Sequence, residues 1–417
     1  MLQEIKENTK KQKILLICEK LLRNIMVIFS SIFLNVYIFN SLDNNINLYL
    51  CALICSIVFA EIISVVVLHI INKRNAMIIY RLSFVFDTLL IVLCLVIKNP
   101  TFPVVLVFYF LQELGNSCFG CPHEIGEMKV TNTKDSKKFM ANSSIVSNLT
   151  KIASPFLSGL IIDKLSYTWL FVIVGIVTIT MFVVSIFMRD FDANDGKLKL
   201  KEFCQKARKY PHVKNFYYCY GFFRLSMGGT IYTILPVVLF LKVGSEFSLG
   251  SYSSIFALLT IITLLCFMKS KNYKLEIILS LVMISISCFL ITFWSSFISF
   301  IIFSVIHYMF ERLYENNLYS TRLNTIKVPE LENYKREHHL MYDLSANIGY
   351  LVGYGLILLF YNLVPSANIL MILIGAVGLL FNVSGIFLIK SKTQHINVLK
   401  QLEKCKTVEE NSTKSTS

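Results

Sequence analysis

The chain repeats itself once, at half its own length. The basic turn Asn72-Lys73-Arg74-Asn75 returns 199 residues later as Lys271-Asn272-Tyr273-Lys274. Asn148, in Val146-Ser147-Asn148-Leu149, returns at the same offset as Asn347, in Ser345-Ala346-Asn347-Ile348. A unit of this length is far beyond the ~20–50 residues of a solenoid repeat, so it implies duplication of a whole bundle. Each copy carries six long apolar stretches, and two such bundles can rock about a shared centre.

Across 417 residues, 55% are hydrophobic and only 16% charged, with a mean hydropathy of +0.62. That is too apolar for a soluble multidomain chain. A helix rising ~1.5 Å per residue needs roughly 20 apolar residues to cross ~30 Å of hydrocarbon while satisfying its own backbone. Stretches near 24–42, 48–71, 76–97, 101–122, 140–162, 168–188, 215–241, 248–268, 275–294, 297–320, 340–361 and 366–389 meet that test. The expected fold is an all-α integral membrane protein with twelve transmembrane helices in two pseudo-symmetric six-helix halves. The first span follows a lysine-rich segment without a small-residue cleavage site, so it reads as an uncleaved span.

The expected organisation is a cytoplasmic N-terminal segment (1–23), a first bundle (24–188), a cytoplasmic linker (189–214), a second bundle (215–389) and a disordered tail (390–417). The net charge of +14 is explained by location rather than by nucleic acid. Lys6, Lys10, Lys11, Lys13, Lys20, Arg23, the turn Lys73-Arg74, the linker and the matching loops of the second half carry it, whereas alternate loops carry only Lys98, Lys164 and Lys242. Basic residues retained on the cytoplasmic side fix orientation, which puts both termini in the cytoplasm. The expected location is the cell (plasma) membrane.

Most of the 11 cysteines fall inside spans, where they serve as small packing residues and not as a disulfide framework. Cys118 and Cys121, followed by His123 and Glu124, have a metal-like spacing, but no second ligand pair accompanies them. They read as a span end passing into a loop. No cofactor is expected. The phosphate-binding loop of ATPases is absent from the sequence, as are the His-Glu-x-x-His and Gly-x-Ser-x-Gly motifs, so neither ATP hydrolysis nor a membrane enzyme is supported.

This layout resembles the major facilitator superfamily over residues 20–390. Aligning that family's motif after the second span on Lys73-Arg74 places Val65, His69 and Asn72 where Gly, Asp and Gly are usual, so only the basic pair survives. In the fifth span, exporters of the family carry Gly-x-x-x-Gly-Pro-x-x-Gly-Gly. Here the run is Thr150-Lys151-Ile152-Ala153-Ser154-Pro155-Phe156-Leu157-Ser158-Gly159, in which Pro155 and Gly159 match and small residues replace the other glycines. Small side chains permit close helix approach and a proline can kink a span. The resemblance therefore implies gating or packing roles for Lys73, Arg74, Pro155 and Gly159, and it tilts the direction towards export in the manner of the drug or macrolide efflux branch.

Ionisable groups at membrane depth are costly, by about 2.5–3.5 kcal/mol each on insertion scales, and so face a wet cavity or a partner. Glu61, Asp87, Glu113, Lys151, Arg224, Glu311, Arg312 and Glu315 are of this kind. In the family, spans one, four, seven and ten line the cavity. That assignment selects Glu113, Arg224, Glu311, Arg312 and Glu315 as substrate or proton-coupling candidates and leaves Glu61, Asp87 and Lys151 for pairing between helices. Under the repeat Glu113 maps onto Arg312. Glu113 is expected to approach Arg312 or Arg224 in one access state and to part from it in the other, with protonation biasing the equilibrium. A static ion-pair network is the competing reading.

Polar and aromatic residues on the same spans, Ser31, Asn35, Tyr109, Gln112, Tyr220, Tyr232, His307 and Tyr308, suit an amphipathic or cationic organic molecule. With 33 Phe and 20 Tyr in the chain, their presence there also follows from composition, and His307 reads first as a packed histidine. The partners expected are a small-molecule substrate, protons and the lipid bilayer, with no nucleic acid, in a monomer. The functional expectation is proton-coupled efflux of small amphipathic compounds by alternating access. The alternatives are a solute importer on the same fold or a non-transporting sensor or immunity protein.

Overall fold

The computed structural model describes residues 2–71, 74–130, 136–188, 198–226, 230–267, 270, 272–363 and 366–415. Side chains are described throughout these except at 2–10, 13, 121, 124–148, 323, 367 and 402–415. Every assigned element is a helix: α1 (Leu2–Ile28), a π-helical segment (Phe29–Leu34), α2 (Asn35–Ser41), α3 (Ile46–Ile70), α4 (Ala76–Val96), α5 (Phe102–Val130), α6 (Ser136–Lys164), α7 (Tyr167–Ile186), α8 (Leu200–Ala207), α9 (Pro211–Leu225), α10 (Tyr232–Val243), α11 (Glu246–Phe267), α12 (Tyr273–Phe293), α13 (Phe297–Thr325), α14 (Lys335–Leu363), α15 (Ala367–Gly378) and α16 (Phe381–Ser415).

Ten helical stretches among the described residues are long and apolar enough to cross a bilayer. Helix α6 and the broken pair α9–α10 supply the other two of the twelve spans. The reason they form spans is visible on α7. Leu170, Phe171, Val174, Thr178, Met181 and Ser185 recur at helical spacing and are buried, while Ile173, Ile176, Ile179, Val183 and Ile186 on the other faces are exposed and equally apolar. A helix apolar all round has lipid, not water, on its outer face.

Local chemistry sets the helix ends. Asp43 and Asn44 take left-handed backbone angles (φ 54° and 57°), and Asn45 then caps α3 by accepting from the amides of Asn47 and Leu48 at 3.0 and 3.2 Å. Asn272, in the repeat copy of the basic turn, caps α12, and Ser296 with Ser299 forms a capping box on α13. Gly244 (φ 71°) ends α10.

The chain divides into two compact units. The first holds 1–197, 231–262 and 354–371; within it α5 packs on α3 and α4, α7 on α4, and α1 on α6 and α7. The second holds 198–230, 263–353 and 372–417; within it α9 packs along α16 and α12 along α13.

Two expectations differ from what is observed. The tail from 390 onward, expected to be disordered, continues α16 as helix to Ser415. Its inner face is held by α9: Ser391 donates to the His212 carbonyl at 2.8 Å, Asn215 donates to Gln394 at 2.8 Å, and Val398 joins the cluster around Phe203. The seventh span is two helices, because α9 stops at Leu225 with Ser226 in a non-helical conformation and α10 resumes at Tyr232.

Candidate functional site

In the first unit a connected polar network crosses four helices. Arg23 on α1 donates to the Asp87 carboxylate of α4 at 2.5 Å and to Asn116 Oδ1 of α5 at 2.7 Å. The Asn116 amide in turn reaches Glu113 at 3.5 Å, and Ser56 of α3 donates to Glu113 at 3.0 Å. Arg23 lies 4.5 Å from the centre of the Phe119 ring. Gly115 makes room for this arrangement, since a Cβ there would lie 3.1 Å from the Asp87 carboxyl carbon. Asp87 is therefore an interhelical ion-pair partner, as its non-cavity span implied. Glu19, one turn before Arg23, is completely buried beside Arg23 and Tyr80.

Arg23 and Glu19 escape a reading by sequence because they sit in the lysine-rich segment assigned to topology. Helix α1 runs unbroken from that segment into the bundle and carries both inside. One signal was available: in the repeat register Arg224 corresponds to position 25, two residues from Arg23.

Glu113 is half-buried, so its carboxyl combines a fixed set of donors with access. Asn35 and Tyr109 come together: the Tyr109 hydroxyl donates to Asn35 Oδ1 at 3.1 Å, and Asn35 donates to the Ser31 carbonyl at 3.0 Å. Both are buried, so this pair ties spans one and four together. Asn35 is the first residue after the π-helical segment, a distortion that often marks functional positions. Tyr232 is half-buried at the start of α10.

Pro155 and Gly159 lie on α6 where it meets α11, both within the first unit. A Cβ on Gly159 would meet the Glu246 carbonyl oxygen at 2.6 Å, and one on Gly250 would meet Gly159 Cα at 3.2 Å. Ser254 donates to the Ile152 carbonyl at 2.7 Å beside this crossing. The two helices thus touch backbone to backbone, which only small residues permit. Arg74 is exposed, and Lys73 lies outside the described residues.

In the second unit Arg224 on α9 donates to the hydroxyls of Tyr350 and Tyr220 at 3.1 and 2.9 Å. It also lies 5.1, 5.6 and 5.7 Å from the ring centres of Tyr220, Phe223 and Tyr350, an aromatic seat for a guanidinium. On α13 Arg312 is hydrogen-bonded to Glu315 and lies 3.9 Å from Glu311. Glu311 is 2% exposed, whereas Arg312 and Glu315 are half-buried. His307 is fully buried and stacked on Phe303 at 5.8 Å, a packed residue.

The repeat orders these groups. Tyr109, Gln112, Glu113 and Asn116 map onto Tyr308, Glu311, Arg312 and Glu315. In each copy the third and fourth members, three residues apart, are hydrogen-bonded to one another, Glu113 with Asn116 and Arg312 with Glu315. One arrangement thus recurs on spans four and ten with the sign of its third member reversed, Glu113 in the first copy and Arg312 in the second.

Cys118 is buried and His123 stacks on Phe119 at 4.8 Å, while the Cys121 and Glu124 side chains lie outside those described. Among the described residues no group of three His, Cys, Asp or Glu side chains is placed to hold a metal.

Comparison with known proteins agrees with this architecture. The family model described as Major Facilitator Superfamily matches residues 24–313. Among solved structures, the chain is similar to a bacterial homolog of the human lysosomal transporter Spinster, crystallised in an inward-facing and unoccupied conformation. The TM-score is 0.58 at 12% identity, covering 94% of this chain and 98% of that one. No curated protein sequence matches the chain.

Proposed function

Because the chain belongs to the Major Facilitator Superfamily, and is on that ground a secondary transporter and not an enzyme, we propose that it exports small amphipathic organic compounds in exchange for protons. Alternating access carries the exchange, and the location is the plasma membrane with both termini cytoplasmic. The observation that carries the reading is Glu113. It is a half-buried carboxylate whose donors, Ser56 and Asn116, lie at 3.0 and 3.5 Å and lead directly to the Arg23–Asp87 pair. A carboxylate accepts these bonds; a protonated carboxyl accepts fewer and donates one. Proton binding at Glu113 therefore alters the hydrogen bonding between spans two and four and, through Asn116 and Arg23, bears on the ion pair between spans one and three, which is the differential interaction an access equilibrium requires.

Export is supported by the α6–α11 crossing at Pro155, Gly159 and Gly250, which keeps the physical character of the fifth-span motif. An amphipathic cargo is supported by the mixture of tyrosines and charges around Arg224, Glu311, Arg312 and Glu315. Substrate class is tested by a growth panel against toxic compounds with and without the protein. Direction is tested in everted vesicles, whose cytoplasmic face is outside, with a lipophilic cationic dye such as ethidium added to the medium. Energised uptake of the dye into these vesicles supports export, accumulation by intact cells supports import, and absence of flux with an undiminished growth phenotype in Glu113→Gln and Arg224→Ala supports a non-transporting role.

A further inference from the structure

The second unit contains a groove of about 910 Å³ between the linker helix α8, the first half of span seven (α9) and α14. Its wall is built by close helix contact. Gly221 and Gly349 bring α9 and α14 together so tightly that a Cβ on Gly349 would lie 2.9 Å from the Leu225 amide nitrogen. The floor at the linker end is α8, pinned by Phe203, which is fully buried with Val213, Ile326, Val328 and Leu331. The groove is open on the outer face: Tyr218, Ile348 and Val352 line it and are 47%, 53% and 44% exposed. On a membrane-spanning bundle such apolar exposure means contact with acyl chains.

The polar groups of the wall are already engaged. Tyr217 shares a 2.8 Å hydrogen bond with His338, and Ser345 donates to the Met341 carbonyl at 2.8 Å. The rim differs. Of the linker cations, Lys199 and Lys206 are paired with Glu202, and Lys209 with Glu330. Arg208 and Lys214, both exposed at the groove's linker end, form no ion pair among the described residues; Lys214 lies only over the Tyr218 ring, at 5.5 Å. Two uncompensated cations thus stand at the mouth of an apolar groove that faces lipid.

We infer that this groove is a binding site for an anionic phospholipid, one acyl chain lying along α9 and α14 and the headgroup phosphate held by Arg208 and Lys214. The chemistry matches both ends. Basic residues at a helix end where the bilayer meets water attract anionic headgroups, each contributing on the order of 1 kcal/mol, and the glycine crossing gives the chain a continuous apolar bed. The site is separate from the Arg224 seat and makes no use of the transport cycle, so it stands whether or not the protein exports.

The test is native mass spectrometry of the full-length protein in detergent, titrated with dioleoyl phosphatidylglycerol or dioleoyl phosphatidylcholine. The wild type is expected to retain phosphatidylglycerol preferentially. The Arg208→Ala/Lys214→Ala double variant is expected to bind it about 25-fold more weakly, a factor of about five per cation, with phosphatidylcholine retention unchanged. Ile348→Trp, which fills the groove and leaves both cations in place, is expected to lower retention of both lipids. Equal retention of the two lipids by the wild type, or unchanged phosphatidylglycerol binding in the double variant, overturns the proposal. So does full competition by free glycerol phosphate, which would show an anion site without a chain site.

Discussion

Arg23 and Asp87, 64 residues apart in the chain, meet at 2.5 Å with side chains only 9% and 2% exposed. Removing two charges from water costs several kcal/mol per ion, and the cost is recovered only where geometry and additional hydrogen bonds are good. Here Asn116 supplies a second acceptor to Arg23 and the Phe119 face covers the guanidinium. The pair fastens α1 to α4 and, through Asn116, to the helix that carries Glu113.

Arg23→Leu leaves the Asp87 carboxylate buried without its cation and is expected to destabilise the protein by about 3–5 kcal/mol, as is typical when one partner of a buried pair is removed. Arg23→Leu/Asp87→Leu, which removes both charges, is expected to recover most of that loss. Thermal unfolding of the purified variants in detergent checks it. Equal stability of the single and double variants would show that the pair contributes through packing alone.

The α6–α11 crossing admits no side chain at its closest points. Gly250→Ala is expected to cost about 1–3 kcal/mol through overpacking. Gly120→Ala, at a helical glycine whose added Cβ meets nothing within 4 Å, is expected to be neutral or to stabilise by up to about 1 kcal/mol. Melting temperatures of the two variants, measured side by side, decide whether backbone contact or glycine content is responsible.

Outside the membrane, Glu202 of α8 is pushed down to about 2 by the hydroxyl of Tyr334 and then by the ammonium of Lys206, while Lys206 is raised by the same two partners. For a carboxyl whose folded value is depressed, the stabilisation is present above its unfolded value near 4.5 and is lost as pH falls towards about 2. Lys206, raised, contributes stability at neutral pH that is lost only in strong alkali. Glu202→Gln is therefore expected to lower stability modestly at neutral pH, where the contribution is fully present, and to flatten the acid limb of the profile between about pH 4.5 and 2. A pH series of thermal unfolding reads this directly, and an unchanged acid limb would contradict it.

Much of this architecture is legible in the sequence, and the failures have physical causes. Twelve apolar runs and a repeat of 199 residues suffice for the spans, because lipid leaves the backbone almost no alternative to helix. The charges are harder. Arg23 reads as one of the basic residues that set topology, since a sequence does not show that α1 continues from that segment into the bundle. Asp87 reads as a helix-pairing residue and pairs there, with Arg23, a partner its sequence position does not reveal. The seventh span reads as one apolar run, although its sequence contains the pair Gly228-Gly229, whose weak helix propensity is a cue to a break. The tail reads as structureless because it is polar, but Ser391, Gln394 and His395 meet α9 at helical spacing.

Proteoliposome transport with an imposed pH gradient, using the compound selected by the growth panel, is the decisive test of the proposal that Glu113 carries the coupling proton. For Glu113→Gln the expected result is that gradient-driven transport falls at least about tenfold, the equivalent of about 1.4 kcal/mol, while substrate exchange at equal pH continues. Gradient-driven transport at the wild-type rate in Glu113→Gln would rule out Glu113 as the proton carrier.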